Sequence, residues 1–147
     1  VPNKHNGLTF CAGSFSAGEH NDCVAMAKQF ADRTHFVHLR SCYIFPNGNF
    51  TEASHLGGRG HLIELCRIFE KAEQEGKCNS GRRLPMRVDH GMTFTDEPGG
   101  VFDESNHGHN AGYTLLGRMF AMGQIQGVIA TVDDELGIDY KQPGFYD

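Results

Sequence analysis

Three short apolar runs, each followed by a polar loop and then a stretch with helical spacing, constrain this chain more than any other feature. Leu8-Thr9-Phe10-Cys11 leads into the loop Ala12-Gly13-Ser14. Thr34 to Leu39 leads into a polar loop from Ser41 to Gly60, where Pro46-Asn47-Gly48 signals a turn. Leu84 to Asp89 leads into a second polar loop from Gly91 to Asn110. Between the runs, Asp22 is placed to cap a helix through about Arg33, with Val24, Ala27 and Phe30 on one face. From His61 to Glu75, Leu62, Leu65, Cys66 and Phe69 fall at i, i+3, i+4 and i+7, and Gly76 closes that helix. Tyr113 to about Glu135 reads as helix, with Leu116, Met119, Phe120 and Met122 apolar, although Gly117, Gly123 and Gly127 weaken it. The tail from Gly137 reads as irregular.

The order is therefore β-α-β-α-β-α, with short returns from helix to strand and long loops from strand to helix. Apolar strands alternating with helices imply a parallel sheet and an α/β fold. The long loops leave the carboxyl ends of the strands, where both (β/α) barrels and open α/β sheets place their chemistry. Only three strands are visible, whereas a closed barrel needs eight strands and roughly 250 residues. As a unit by itself the piece would have open sheet edges.

Composition narrows the partners. With 147 residues the chain suits one domain with a real core. Its formal net charge is -5 and its basic residues cluster only at Arg82-Arg83, which argues against nucleic acid. No apolar run is expected to approach the roughly 20 residues that cross a bilayer. The N-terminus, Val1-Pro2-Asn3-Lys4-His5-Asn6, has no apolar signal region and no starting Met, so the chain is read as processed or cut from something longer. Five cysteines, an odd number without a CxxC pair, argue against a disulfide framework and for a reducing cytoplasm.

The chemistry gathers at the ends of the runs. Met86-Arg87-Val88-Asp89-His90-Gly91 ends an apolar run in a carboxylate and an imidazole. A carboxylate there is costly to bury without a partner, and a metal ion is one partner that suffices. His35-Phe36-Val37-His38-Leu39-Arg40 ends a second run, and Cys11 ends the first. Taken singly, Cys11 reads as a small core residue, His38 as a hydrogen-bonded core His and Asp89 as a cap or ion-pair partner. Their recurrence on three consecutive strands instead suggests one site for a Mn, Fe or Zn type of ion, with His and Cys arguing against plain Mg or Ca. His90 beside Asp89 is a natural general acid or base, because its charge changes near neutral pH. Tyr113, opening a helix after Asn110-Ala111-Gly112, can donate a proton to a leaving group.

Arg40 and Arg87 each lie two residues from a candidate ligand and share its strand face, so either can bind a substrate carboxylate bidentately or sit in an internal ion pair. Glu52 and His55, after Phe50 in the long loop, belong to a lid or to the site, with His55 the substrate-binding candidate. His107 and His109 lie in a Gly-rich stretch at i, i+2 spacing and read as solvated loop. Ser14 has no His and Asp companions in a triad context, and neither a P-loop nor a dinucleotide fingerprint is present.

Five blocks together resemble a known family. They are Asn6-Gly7-Leu8-Thr9-Phe10-Cys11-Ala12-Gly13-Ser14; His35-Phe36-Val37-His38-Leu39-Arg40-Ser41; Phe50-Thr51-Glu52-Ala53-Ser54-His55-Leu56; Pro85-Met86-Arg87-Val88-Asp89-His90-Gly91; and Asn110-Ala111-Gly112-Tyr113-Thr114 with Gly117-Arg118. In this order they resemble mannonate dehydratase, a metal-dependent (β/α)-barrel lyase that converts D-mannonate to 2-keto-3-deoxy-D-gluconate in hexuronate breakdown. The resemblance implies the C-terminal portion of a (β/α)8 TIM barrel, an incomplete barrel of about three to four βα units that fills residues 1–147 as one partial catalytic domain. It implies Cys11, His38 and Asp89 as ligands of Mn2+ or Fe2+, and His90 and Tyr113 as the acid/base pair. One further His ligand of the family comes from an earlier strand without a counterpart here. Met92 stands where many members carry a His or Arg, and the Gly91–Asn110 loop is longer than in some. The expected substrate is a small sugar acid, with no nucleic-acid or membrane partner. The expected assembly is a homo-oligomer or a pairing with the missing N-terminal barrel half. A related barrel sugar isomerase or epimerase, and an inactive self-associating fragment, are the alternatives.

Overall fold

The computed structural model describes residues 3–78, 83–93 and 112–139. In chain order the elements are β1 (Leu8–Cys11), α1 (Ala12–Ser16), α2 (Cys23–Phe30), β2 (Thr34–Leu39), β3 (Cys42–Ile44), β4 (Phe50–Glu52), α3 (Leu62–Gln74), β5 (Met86–Val88) and α4 (Leu115–Leu136). Three strands form a sheet in the order β1-β2-β5, and both of its pairings are parallel. In register, Cys11 lies beside His38, and His38 beside Arg87.

Local signals account for most boundaries. Asp22 caps α2, its carboxylate accepting from the amides of Val24 and Ala25 at 2.9 Å each. A 3-10 turn over Ala31–Arg33 ends that helix earlier than the sequence implied. Gly76, at φ 67, supplies the left-handed residue after α3. The loop expected from Ser41 to Gly60 contains a hairpin, in which β3 and β4 pair antiparallel around the Pro46-Asn47-Gly48 turn. The sequence hid it because its flanks are three residues each, too short to show an alternating pattern.

The sheet buries one face. Phe10, Val37, Leu39 and Val88 point into a core completed by Leu62, Leu65, Cys66 and Phe69 of α3, Ala27 of α2, and Ala121, Ile125 and Val132 of α4. Phe10 sits edge-on between Phe15 and Phe69, with centroid distances of 4.9 and 5.2 Å. Side chains alternate along a strand, so Cys11, Phe36, His38 and Arg87 point to the other face. On that face Cys11, Phe36 and His38 are half-buried and Arg87 is exposed.

Helix α4 departs from expectation in two ways. It is long and apolar enough, by length and composition, to cross a bilayer, which corrects the expectation that no segment approaches that length. Here it packs on the core through Gly117, Ala121, Ile125 and Val132 instead, while Leu115, Leu116, Met119, Phe120 and Met122 remain exposed. The glycines that weaken the helix on paper include the one that lets it dock. A Cβ at Gly117 would strike the Met92 carbonyl oxygen, and one at Gly91 would lie 2.6 Å from the Gly117 oxygen. The amide of Gly91 also donates to the carbonyl of Gly112 at 2.8 Å. These contacts bring the start of α4 against the tip of β5 at backbone distance.

Candidate metal centre

Cys11 ends β1, His38 is the last residue but one of β2 and Asp89 follows β5, so the three sit together at the tips of adjacent strands. One ligand-type atom from each, Sγ, a ring nitrogen and a carboxylate oxygen, lies within 4.8 Å of the others. Bonds of about 2.0–2.3 Å to a common ion place its ligand atoms roughly 3 to 4.5 Å apart, so the three residues could hold one ion after a small adjustment. A soft sulfur with a nitrogen and a hard oxygen fits a first-row transition ion better than Mg or Ca.

Asp89 is the hub. Its carboxylate is 8% exposed; Oδ1 accepts from Arg87 at 2.7 Å and from the Tyr113 hydroxyl at 2.9 Å. Oδ2 faces His38 Nδ1 at 4.0 Å and His90 Nε2 at 3.8 Å. Burial pushes the Asp89 carboxyl up, but the hydrogen bonds from Arg87 and Tyr113, with His90 and His38 facing it, outweigh burial and hold it below the usual carboxylate range. Burial lowers His38, against the opposing pull of Asp89, which favours the neutral imidazole a metal ligand needs. Burial, then the Asp89 carboxylate, raises the Tyr113 phenol, so the phenol keeps its proton.

His90 and Tyr113 stand together, ring centroids 4.3 Å apart, with Arg118 5.5 Å from the Tyr113 ring centroid. His90 follows Asp89 directly, and the backbone bends at His90 once β5 has ended, so the adjacent imidazole stays on the site side. Tyr113 precedes α4 rather than opening it; Thr114 is the N-cap. Gly112, at φ 88, turns the chain there.

The substrate-binding candidates are engaged within the protein. Arg40 forms a fork with Glu52, its Nε 2.9 Å from Oε2, and its stem lies over Gly13. Arg87 pairs with Asp89, and its side chain is 42% exposed. His55 is buried, and burial lowers its imidazole against the opposing pull of the Leu39 backbone and the Glu52 and Asp89 carboxylates. Met92 is exposed, and its carbonyl meets the start of α4. His107 and His109, with the rest of the loop expected to be long there, lie outside the described residues.

One charged cluster escaped the sequence reading. Glu70 and Asp133 are buried between α3 and α4, and Arg83 approaches them at 3.5 and 3.8 Å. The signal was available, since Glu70 lies four residues after Cys66 on the buried stripe of α3. A cleft of about 510 Å³ on the helix side, lined by Lys28, Glu64, Arg67 and Glu135, is separate from the strand tips.

Comparison with known proteins supplies the context for this geometry. The profile of the family described as D-mannonate dehydratase (UxuA) matches residues 1–138. Mannonate dehydratase 2 of Agrobacterium fabrum is 38% identical over 138 residues, covering 92% of this chain and 33% of that protein. The mannonate dehydratase of Saccharophagus degradans is 38% identical over 135 residues, 90% of this chain and 32% of its own. The crystal structure of mannonate dehydratase from Streptococcus suis serotype 2 superposes with a TM-score of 0.73 at 20% identity, covering 100% of this chain and 39% of that one, a likeness in fold. The chain spans about a third of the length of the curated relatives it matches.

Proposed function

The chain belongs to the D-mannonate dehydratase family, and from that premise we propose that it carries the ion-binding and proton-transfer part of an enzyme that converts D-mannonate to 2-keto-3-deoxy-D-gluconate and water. The observation that carries this reading is the meeting of Cys11, His38 and Asp89 within 4.8 Å, with His90 and Tyr113 against the same carboxylate.

Cys11, His38 and Asp89 would hold a divalent ion, Mn2+ or Fe2+. Bound there, such an ion supplies positive charge for the negative charge that grows beside the substrate carboxylate. The chain's own residues handle the protons. Dehydration removes the C2 proton and expels the C3 hydroxyl as water, so it needs one group to take a proton and another to give one. His90 and Tyr113 form that pair, and the phenol is in its donor form. Arg87 holds Asp89 ionised and presents an exposed guanidinium on the same face, suited to the substrate carboxylate. Arg40 shapes the site through Glu52. After the hydroxyl departs, the enol product takes a proton to become the ketone.

The chain is, on this proposal, one partial catalytic domain over residues 1–147, the C-terminal part of a (β/α)8 barrel. Its polar sheet face, open strand edges and the exposed apolar residues of α4 require the N-terminal part of the barrel or a further copy as cover. The partner set is a small sugar acid, with no nucleic acid and no membrane, in the cytoplasm; the five cysteines are free, as a reducing compartment keeps them. The test is to supply D-mannonate and Mn2+ to the complete gene product and follow the 2-keto-3-deoxy acid. Formation of that acid, lost on Asp89→Asn, is expected, with little turnover by the 147-residue chain alone. An isomerised sugar acid, or no product, would remove the proposal.

A further inference from the structure

Arg40, Arg87 and Arg118 stand around the strand tips, and the first two already face carboxylates. Arg40 is held by Glu52, with Nε 3.0 Å from Oε1 and 2.9 Å from Oε2. Arg87 is held by Asp89 at 2.7 Å. Arg118 lies in the first turn of α4. Its backbone nitrogen is 3.5 Å from the place a Cβ would take on Gly91, two residues after Asp89. Its guanidinium carbon is 5.5 Å from the centroid of the Tyr113 ring. Arg118 is half-buried, and among the described residues its side chain forms no ion pair and no hydrogen bond.

We propose that Arg118 is the specificity-determining residue that selects a sugar acid over a neutral sugar, its guanidinium binding the substrate carboxylate beside Tyr113. The inference rests on the dehydration reading above. Charge balance is the physical reason. The Arg40–Glu52 and Arg87–Asp89 pairs are each neutral as wholes. Arg87 can direct a hydrogen bond to a carboxylate, but Arg118 brings a whole positive charge with it. Position agrees with charge. The carboxylate carbon is bonded to C2, where the proton leaves, and C2 is bonded to C3, where the hydroxyl leaves. The group that binds the carboxylate must therefore stand next to the pair that moves the protons. Arg118 lies against one member of that pair, whose rings are 4.3 Å apart. An arginine also grips a carboxylate with two parallel N–H groups, which fixes the direction of the acid's first carbon. A half-buried setting strengthens that attraction relative to open water. Gly117 explains the placement, since its close approach to Met92 brings the next residue to the site.

The test measures dehydration of D-mannonate by the complete gene product with Mn2+, and its inhibition by D-mannonamide, the neutral twin of the substrate. The chains compared are the wild type, Arg118→Gln and Arg118→Lys. Arg118→Gln is expected to raise KM for D-mannonate roughly 10- to 100-fold, the usual cost of losing a hydrogen bond to a charged group. It is expected to leave the inhibition constant of D-mannonamide unchanged. Arg118→Lys keeps the charge without the fork, and should keep most of the preference for the acid.

If the wild type makes no 2-keto-3-deoxy acid, the dehydration reading fails and takes this inference with it. If the wild type turns over and Arg118→Gln keeps its KM, the inference alone is overturned. Equal weakening of D-mannonate and D-mannonamide also overturns it, because charge would then not be what Arg118 reads. A fall in kcat at constant KM does the same, since Arg118 would then serve only the Tyr113 ring. So does an Arg118→Lys chain that loses the acid preference as fully as Arg118→Gln. A chain that folds only with Arg118 intact counts against it as well, because the residue would then serve folding.

Discussion

Replacing Glu70 with Gln should change how stability depends on pH. Glu70 is 3% exposed on α3, faces the buried Asp133 on α4, and is answered by Arg83, whose own side chain is 55% exposed. Burial, then the Asp133 charge, raises the Glu70 carboxyl from 4.5 to about 7 against the pull of Arg83. Between those two values the folded chain holds a proton that the unfolded chain has released. Stability from this group is therefore complete below pH 4.5 and is lost as pH rises toward 7. At about 1.4 kcal/mol per pH unit the interval is worth at most about 3.5 kcal/mol, or roughly 10 °C in Tm for a chain of this size.

His38 and His55 oppose this trend. Both are lowered by burial, so each contributes stability that is present above its unfolded value of 6.5 and lost as pH falls. The difference between wild type and Glu70→Gln cancels them. Thermal unfolding of both chains from pH 4 to 8 should show Glu70→Gln gaining on the wild type as pH rises, with the gain complete a little above pH 7. A difference that stays constant, or that shrinks with rising pH, would refute the reasoning.

Other outcomes follow from the same contacts. Gly117→Ala should cost about 1–3 kcal/mol in chemical denaturation, because the new methyl strikes the Met92 carbonyl. Gly123→Ala, with nothing within 4 Å of the new methyl, should instead gain about 0.5–1 kcal/mol. Equal effects at the two positions would contradict the docking described for α4. Tyr113→Phe removes a hydrogen bond to a charged carboxylate and should cost about 1.5–3 kcal/mol. It should also raise the Asp89 carboxyl, readable by NMR titration. The low Asp89 value adds stability above its unfolded value of 3.8 that is lost as pH falls through the lower folded value; Asp89→Asn should flatten that acid limb.

The sequence showed the parts of this fold that local physics writes plainly. Asp22 announced its cap, Leu62, Leu65, Cys66 and Phe69 announced the buried stripe of α3, and the three apolar runs announced a parallel sheet. Candidate ligands near strand tips were legible because a thiol, an imidazole and a carboxylate at or beside the tips of three successive apolar runs are unusual together. What stayed hidden depends on distant partners. Glu52 meets Arg40 across twelve residues of chain, and no local pattern encodes that pairing. His55 looks the same in sequence whether it faces a ligand or is buried away from solvent, as it is here. In α4 the large residues suggested a buried face, yet close backbone approach put Gly117 and Ala121 inside and left Met119 and Phe120 outside.

The central claim is that one ion bridges three strand tips. Anomalous diffraction from crystals of the chain grown with Mn2+ tests it directly. The account predicts a single strong peak within bonding distance of Cys11 Sγ, a His38 ring nitrogen and an Asp89 carboxylate oxygen. Full manganese occupancy elsewhere, with nothing between these three side chains, would contradict it.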